Sequence, residues 1–529
     1  MHRQSFIAGT SILIGASLVT RILGFVYRVA LTRLIGAEGI GLFQMVFPFL
    51  SLILTFVTLG MGIAVSKLVA ESVVTGDRKR IARILSISLI TTIALSAVFS
   101  ILMVTLGPVI SRKIFTDPRA IYPFITLTPV IVIIAISSVL RGYFQGLQIM
   151  STPSIASIIE TLLRILAVWI LATLSLVKGL EFAAAGVSGG MILGELGGCL
   201  YMYLTYRLRV KVSQIPLPKR PVKTESRSHT IRAIMSIAIP VTFSRLIGSL
   251  AYALEPILVT RSLLTAGLST VAATRAYGEY GGMAIPLLVF PTVFTYSLAI
   301  QLVPSISEAV ASGNKATVSR RLQQSFRVTA LVGFPTSLIL LQFAVPLCVA
   351  IFHHPGVGAL LSIMAPAGFL LYLQGPLSGI LQGINKAGIA MRNSLIGSFV
   401  KLIIIYLLAS NKSIGVTGIA WSVTISVTLT TLLHIASVHR RIGFSVDSLD
   451  TAKILLATVL MAIMSKQLWS VLQSVSPMWL SLTTTIFVAL LFYAVVLLVT
   501  KTVTSYSFVR IPGVGKPLAR IIRKIPFAR

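Results

Sequence analysis

Residues 5–34 read SFIAGTSILIGASLVTRILGFVYRVALTRL, a run that is apolar and long enough to cross a bilayer as one helix. Arg21 interrupts this run near its middle, and Arg28 follows two helical turns later. Because seven residues are close to two turns, both arginines fall on one stripe of the helix. An arginine at the bilayer centre costs about 2.5–3.5 kcal/mol. We therefore expect the stripe to face a polar cavity or an anionic partner. We expect this cavity to be the functional site of the protein.

The composition is typical of a polytopic membrane protein. The chain has 529 residues, of which 56% are hydrophobic and 11% are charged, and its mean hydropathy is +0.95. Apolar runs of spanning length recur along the chain, whereas a soluble chain of this length would form several domains with charged surfaces. The pattern predicts an all-α fold of about fourteen transmembrane helices, arranged as two six-helix lobes with two further helices at the C-terminus.

The formal net charge is +32, and the positions of the lysines and arginines along the chain indicate how the helices are oriented in the membrane. Most lysines and arginines lie in short segments between the apolar runs, whereas nucleic-acid binding needs a basic stripe on a folded surface. We predict a multi-pass cell-membrane protein with cytoplasmic N- and C-termini and no nucleic-acid partner. The first run is expected to be a retained span rather than a signal peptide, since no small-residue cleavage pattern follows it.

An internal repeat relates residues that are 237 positions apart. The offset aligns a GxxQG motif at the end of the fourth predicted span, 119–147, with a second GxxQG at the end of the tenth, 356–385. Two halves in parallel orientation, related by an axis along the membrane normal, would place a substrate between them. Small residues permit close helix approach, so a role in gating or in helix packing is predicted for the motif glycines. These glycines are Gly142, Gly146, Gly379 and Gly383.

The repeat and the charge pattern divide the chain into five segments. The predicted segments are an N-terminal lobe at 1–208, a basic cytoplasmic linker at 209–230, a C-terminal lobe at 231–440, two further helices at 441–503 and a basic cytoplasmic tail at 504–529. The first two spans are predicted at 5–34 and 40–73, and the last two helices fall outside the repeat.

Five short motifs carry a family resemblance. They are TRILGF at 20–25, GAEGIGLF at 36–43, AVSKLVAE at 64–71, YGEY at 277–280 and LVPSISEA at 302–309. They resemble the stage V sporulation protein B branch of the polysaccharide biosynthesis family, within the multidrug, oligosaccharidyl-lipid and polysaccharide exporter superfamily. The resemblance implies a two-lobed, alternating-access flippase for a polyprenyl-diphosphate-linked saccharide. A peptidoglycan or spore-cortex precursor is the substrate it implies.

The resemblance also implies roles for the arginines of the first helix. Related lipid II flippases hold the diphosphate with cavity arginines, and the arginine of their TRxLGF-like motif aligns with Arg21. Their second arginine lies one position nearer the motif than Arg28, so this alignment is displaced by one residue. Further arginines of those flippases, after a proline in the second helix and before one in the eighth, have no counterpart near Pro48 or Pro286.

A diphosphate site needs permanent cations, and a guanidinium stays charged and can donate to two phosphate oxygens. We predict that Arg21 and Arg28 bind substrate, together with Arg245 and Arg261 on the seventh span. Glu255 on the same span is expected to take part in the site, by pairing with an arginine or by carrying a coupling proton or Na⁺. For Arg28 and Arg261 the alternative is a side chain that reaches the membrane interface.

Glu160 and Arg164, four residues apart on the fifth span, form a second predicted group. They can neutralise each other along one helix face, as a structural pair or as a gating pair. No residues have the spacing of a metal site, and no cofactor is expected. Coupling to H⁺, Na⁺ or the membrane potential stays open. The expected partners are the lipid-linked saccharide and membrane lipids, with cell-wall or sporulation glycosyltransferases as candidates.

Two other functions stay open at this point. A multidrug antiporter of the same superfamily would export organic cations, which favours acidic side chains in the cavity. A membrane-integral enzyme acting on the same lipids would need a positioned acid or base and an extended outer loop. The predicted outer loops are short and the sequence shows no nucleophile constellation, so we predict a transporter that is not an enzyme.

Overall fold

The computed structural model describes residues 6–208, 226–443 and 446–503. Regular structure in these residues is entirely helical, which confirms the predicted all-α membrane fold. Thirteen stretches of the described residues are long and apolar enough to cross a membrane. The first of these, Gly15–Thr75, holds more than one helix, because the backbone at Gly36 (φ 67°, ψ −178°) leaves the helical region. Counting this break, the structure agrees with fourteen spans.

Contacts divide the chain into two units. The first comprises the described residues up to Met283 together with Ile405–Val416, and the second comprises Ala284–Ile404 and the described residues from Thr417. The predicted tail and most of the predicted linker lie outside the described residues. The predicted lobe boundaries stay a prediction.

Nine helices of the first unit lie among the described residues, and Gly36 interrupts the first of them. They are α1 Phe6–Thr58, α2 Met61–Thr75, α3 Arg78–Lys113, α4 Ile121–Thr126, α5 Thr128–Gly146, α6 Ser151–Leu176, α7 Leu180–Leu208, α8 Arg227–Thr265 and α9 Thr270–Tyr277. Within this unit α1 packs on α6, α8 and α9, and α6 packs on α7. The helices α8 and α9, which the repeat assigns to the second lobe, therefore pack within the first unit.

A π-helical segment, Gly278–Ala284, follows α9. The helices beyond it are α10 Ile285–Val289, α11 Thr292–Ala311, α12 Lys315–Gln342, α13 Ala344–Phe352, α14 Pro355–Met364, α15 Gly368–Gly383, α16 Ala387–Ala409, α17 Val416–Ile442, α18 Ser448–Leu472 and α19 Met478–Val499. They lie in the second unit, apart from the end of α16 and the start of α17.

The second predicted span, 40–73, is broken in the structure. A helix ends at Thr58 and α2 begins at Met61, because Leu59 (φ 46°) and Gly60 (φ 58°) adopt left-handed backbone. Gly60 also packs closely on α8, where a Cβ would lie 2.7 Å from Val241 Cγ1. The break was not predicted, since Leu59 carries no turn signal and the apolar run continues through it.

The repeat is confirmed by backbone geometry within each unit. Gly76 (φ 70°) ends α2 and Gly313 (φ 68°) follows α11, and both are left-handed. The next residue, Asp77 or Asn314, caps the following helix by accepting a hydrogen bond from the backbone N–H three residues on. All four residues obey the offset of 237. So do the left-handed residues of a later turn in each unit, Gln148 and Asn385.

The four motif glycines make close helix contacts inside their own units. In the first unit a Cβ on Gly142 would lie 2.5 Å from the carbonyl oxygen of Gly62, and one on Gly146 would lie 2.7 Å from that of Ser66. In the second unit a Cβ on Gly379 would lie 2.8 Å from the carbonyl oxygen of Ala299, which the same offset relates to Gly62. Gly383 likewise leaves room for α11. The contacts between α2 and α5 therefore recur between α11 and α15.

Candidate functional site

Arg28 lies in a span but binds the backbone of a neighbouring helix. Its half-buried guanidinium donates from Nη1 to the carbonyl oxygens of Gly281 (3.3 Å) and Gly282 (3.4 Å). Both carbonyls belong to the π-helical segment, a local distortion that is frequent at functional sites. Gln44 Nε2 donates to the same Gly281 oxygen at 3.0 Å. The distorted segment thus presents carbonyl oxygens to two side chains of α1.

Glycines bring the π-helical segment against α1. A Cβ on Gly278 would lie 1.8 Å from the carbonyl oxygen of Ala37, and a Cβ on Gly41 would lie 2.1 Å from that of Thr274. No other residue type fits these two positions without moving one helix. The glycines of the motifs at 36–43 and 277–280 therefore set the distance between Arg28 and its acceptors.

Glu255 lies buried on α8 beside this contact, with 6% of its surface exposed. The phenol of Tyr280, in the π-helical segment, donates to Glu255 Oε1 at 2.6 Å. Tyr252, which precedes Glu255 by three residues on α8, is close enough to interact with the charges of both Glu255 and Arg28. The structure therefore brings two predicted site residues, Arg28 and Glu255, into one neighbourhood. We call Arg28, Gln44, Tyr252, Glu255 and Tyr280 the central cluster.

The other predicted substrate arginines lie elsewhere in the first unit. Arg21 is half-buried on α1, two turns before Arg28. Arg245 is exposed on α8, about 15 Å along the helix from Glu255. Arg261 is also exposed, and its Nη2 donates to the backbone oxygen of Lys113 at the end of α3 (2.5 Å). This contact agrees with an interfacial Arg261, and the binding roles of Arg21, Arg245 and Arg261 stay predictions.

A second group of charges, the span cluster, lies on α5, α6 and α7. The predicted ion pair between Glu160 and Arg164 forms, and Arg164 also contacts Glu195 Oε1 at 3.2 Å. Arg141, on α5, completes the cluster through Glu160 Oε2 (2.7 Å). The two positive charges of the arginines and the two negative charges of the carboxylates cancel. Partly buried charges in a span need such pairing, because an unpaired charge there is costly. The helix that carries Arg28, α1, packs on α6, which carries Glu160 and Arg164.

A third group, the loop cluster, joins the turn after α3 to two other segments. Arg119 contacts Glu38 Oε1 (2.7 Å) and donates to both carboxylate oxygens of Asp117 (3.1 and 2.8 Å). Thr274, on α9, donates to Asp117 Oδ2 at 3.0 Å. Burial opposes ionisation of Asp117, but the hydrogen bonds and charge of Arg119 outweigh it and lower the pKa of this carboxyl. The cluster thus connects α9 to the turn after α3 and to the part of α1 that follows Gly36.

Arg141 and the loop cluster were missed in the sequence. Arg141 pairs with a carboxylate on another helix, and the loop cluster connects a turn to α1 and α9. A search for pairs three or four residues apart finds only neighbours on one helix. Among the described residues, no three His, Cys, Asp or Glu side chains are grouped as a metal site requires.

Comparisons with known proteins agree with this architecture. The family model described as polysaccharide biosynthesis protein matches residues 6–310, and the model described as MatE matches residues 280–407. Stage V sporulation protein B of Bacillus subtilis (strain 168) is 38% identical over 521 residues, which cover 98% of this chain and 100% of that protein. Lipid II flippase MurJ of the same organism is 24% identical over 491 residues, which cover 87% of each chain.

A solved structure of Lipid II flippase MurJ in an inward closed conformation has the same fold. Its TM-score is 0.63 at 15% identity, and the match covers 92% of this chain and 98% of that one. The first family model covers more than half of the chain, and the sporulation relative is similar along its whole length. The chain therefore belongs to the polysaccharide biosynthesis protein family, and it is a membrane transporter homologue with the fold of that structure.

Proposed function

We propose that the chain is a flippase that moves a polyprenyl-diphosphate-linked saccharide from the inner to the outer leaflet of the cell membrane. The observation that carries the proposal is the environment of Arg28. Its hydrogen-bond acceptors are two neutral carbonyls, so the guanidinium keeps a full positive charge inside a membrane protein. A diphosphate is an anionic ligand that such a charge can bind.

The hydrogen bonds of Arg28 are suited to exchange. Their lengths of 3.3 and 3.4 Å exceed the usual 2.7–3.2 Å range for N–H···O bonds. Bonds from a guanidinium to phosphate join two ionised groups at about 2.7–2.9 Å and often form in pairs. Phosphate oxygens therefore compete well for the guanidinium. When the substrate leaves, the two carbonyls accept from the guanidinium again, which favours release.

The names of the relatives support the substrate class. One relative is called a lipid II flippase and the other a stage V sporulation protein. From these two names we infer that this chain carries a peptidoglycan or spore-cortex precursor. The proposed transport involves no covalent chemistry and no cofactor. Cytoplasmic termini and a partner glycosyltransferase belong to the same proposal. The driving force is open to test, since H⁺, Na⁺ and membrane-potential gradients can each be imposed on vesicles.

The alternative is export of organic cations, and the MatE match at 280–407 favours it. A cation site needs a carboxylate that outweighs the neighbouring cations. In the central cluster Glu255 accepts from Tyr280 and shares its surroundings with Arg28. This arrangement fits an anionic ligand better than a cationic one.

The test is flipping of a fluorescent polyprenyl-diphosphate saccharide in proteoliposomes. Arg28→Gln should slow flipping about tenfold or more, since a charge-assisted hydrogen bond contributes about 1.5–3 kcal/mol. Arg21→Ala should also reduce flipping. Arg112→Gln is the matched control, because Arg112 is exposed at the end of α3 and loses the same charge. Wild-type flipping by Arg28→Gln contradicts the proposal, and transport of an organic cation with no flipping favours the alternative.

A further inference from the structure

A small cavity of about 340 Å³ lies within the second unit, where several helices end. Four helix ends meet there: α11 ends at Ala311, α12 begins at Lys315, α15 ends at Gly383 and α17 ends at Ile442. Because membrane spans end where lipid tails give way to head groups, the cavity lies at the level of the membrane surface. Under the predicted topology this surface is the cytoplasmic one.

The lining of the cavity is amphipathic. Among the described residues that line it, the charged ones are two cations, Lys315 and Arg441, and none is a carboxylate. The nearest acid along the chain, Glu308, does not line it. The remaining side chains are apolar, and two of them, Ala309 and Val318, are almost fully buried. A ligand that fits this lining carries a negative group beside an apolar portion.

Local structure places the two cations at the rim. The left-handed Gly313 turns the chain, and Asn314 caps α12 by accepting from the Thr317 N–H at 2.9 Å, so Lys315 begins the helix beside the opening. Arg441 donates from Nη1 to the carbonyl oxygen of Ser437 at 3.0 Å, which orients its guanidinium. A helix N-terminus beside the rim adds to the attraction for an anion.

We propose that this cavity binds the head group of an anionic glycerophospholipid from the surrounding membrane. The phosphate lies between Lys315 and Arg441, and the glycerol and the first acyl carbons lie on the apolar floor. Basic pockets between spans on the cytoplasmic side suit acidic head groups, because that leaflet is negatively charged. The small volume favours a phosphoglycerol over a diphosphate that carries a saccharide. This site is separate from the central cluster and does not depend on the proposed function.

The test is native mass spectrometry of the purified full-length chain, titrated with phosphatidylglycerol or phosphatidylcholine. We expect tighter binding of phosphatidylglycerol, and a weakening of about fivefold for each cation removed, so that Lys315→Gln/Arg441→Gln loses more than tenfold. Arg78→Gln/Arg440→Gln is the matched control. Arg78 is related to Lys315 by the repeat, Arg440 adjoins Arg441, and neither lines the cavity.

A third variant keeps both cations and tests the cavity itself. Ile384→Trp fills the apolar floor and should also weaken phosphatidylglycerol binding, with an unchanged melting temperature in lipid-free detergent. The proposal is overturned if phosphatidylglycerol shows no preference over phosphatidylcholine, or if the control double variant loses as much affinity as the pocket variant. Displacement of the lipid by millimolar inorganic phosphate, or by polyprenyl phosphate alone, would assign the cavity to those ligands instead.

Discussion

Substitution of Gly142 or Gly379 by alanine tests whether the same close contact between helices stabilises each half of the repeat. The added Cβ would lie 2.5 Å from the Gly62 oxygen in one variant and 2.8 Å from the Ala299 oxygen in the other. Both distances are shorter than side chains normally allow, and the obstacle is backbone, so the helices must move apart. Overpacking of this kind costs about 1–3 kcal/mol, from which the better helix propensity of alanine removes up to about 1 kcal/mol.

Melting curves in detergent and in lipid nanodiscs measure the effect. We expect both variants to melt below the wild type, with Gly142→Ala the less stable because its contact is shorter. Gly248→Ala on α8 is the control, since a Cβ there meets nothing within 4 Å. It should be neutral or slightly stabilising. If both motif variants have the same melting temperature as the control variant, the close contact does not exist as described. Flipping rates below the melting temperature then test gating separately.

Two further predictions concern the charged clusters. Because the pKa of Asp117 is lowered in the folded protein, its contribution to stability is present above its ordinary pKa of about 3.9 and disappears as the pH falls through the folded value. The melting difference between wild type and Asp117→Asn should therefore be constant from pH 5 to 8 and shrink below pH 4, and a difference that grows on acidification contradicts this. In the span cluster Arg164→Gln leaves two carboxylates beside one arginine and should cost about 3–5 kcal/mol. Adding Glu195→Gln restores the balance of charge and should recover part of that loss, whereas simple additivity of the two changes would show that the contact contributes little.

The spans and the repeat could be predicted because they depend on regularities of the sequence. Runs of apolar residues give the spans, and a constant offset gives the glycine contacts at Gly142 and Gly379. The breaks inside spans could not be predicted equally well. Gly36 falls between two predicted spans, but Leu59 adopts left-handed backbone within an unbroken apolar run. Gly60 suits a left-handed turn, but glycine is also frequent inside membrane spans, so its presence alone does not reveal the break.

The site could be predicted in part. A charge in a span is conspicuous, so Arg28 and Glu255 could be singled out from their positions, and their binding roles stay predictions. Their surroundings could not be predicted, because the acceptors of Arg28 are backbone carbonyls of a π-helical segment more than 250 residues away. Backbone acceptors have no signature in the sequence. Arg141 was missed for a related reason, since its partner Glu160 lies on another helix.

The central claim is that the Arg28 guanidinium recognises a diphosphate. The most direct measurement compares the affinities of the purified chain for polyprenyl diphosphate and for polyprenyl monophosphate, in the wild type and in Arg28→Gln. The account predicts that the wild type prefers the diphosphate and that Arg28→Gln loses this preference while still binding the monophosphate. Equal affinities in the wild type, or a preference that survives the loss of Arg28, would contradict it.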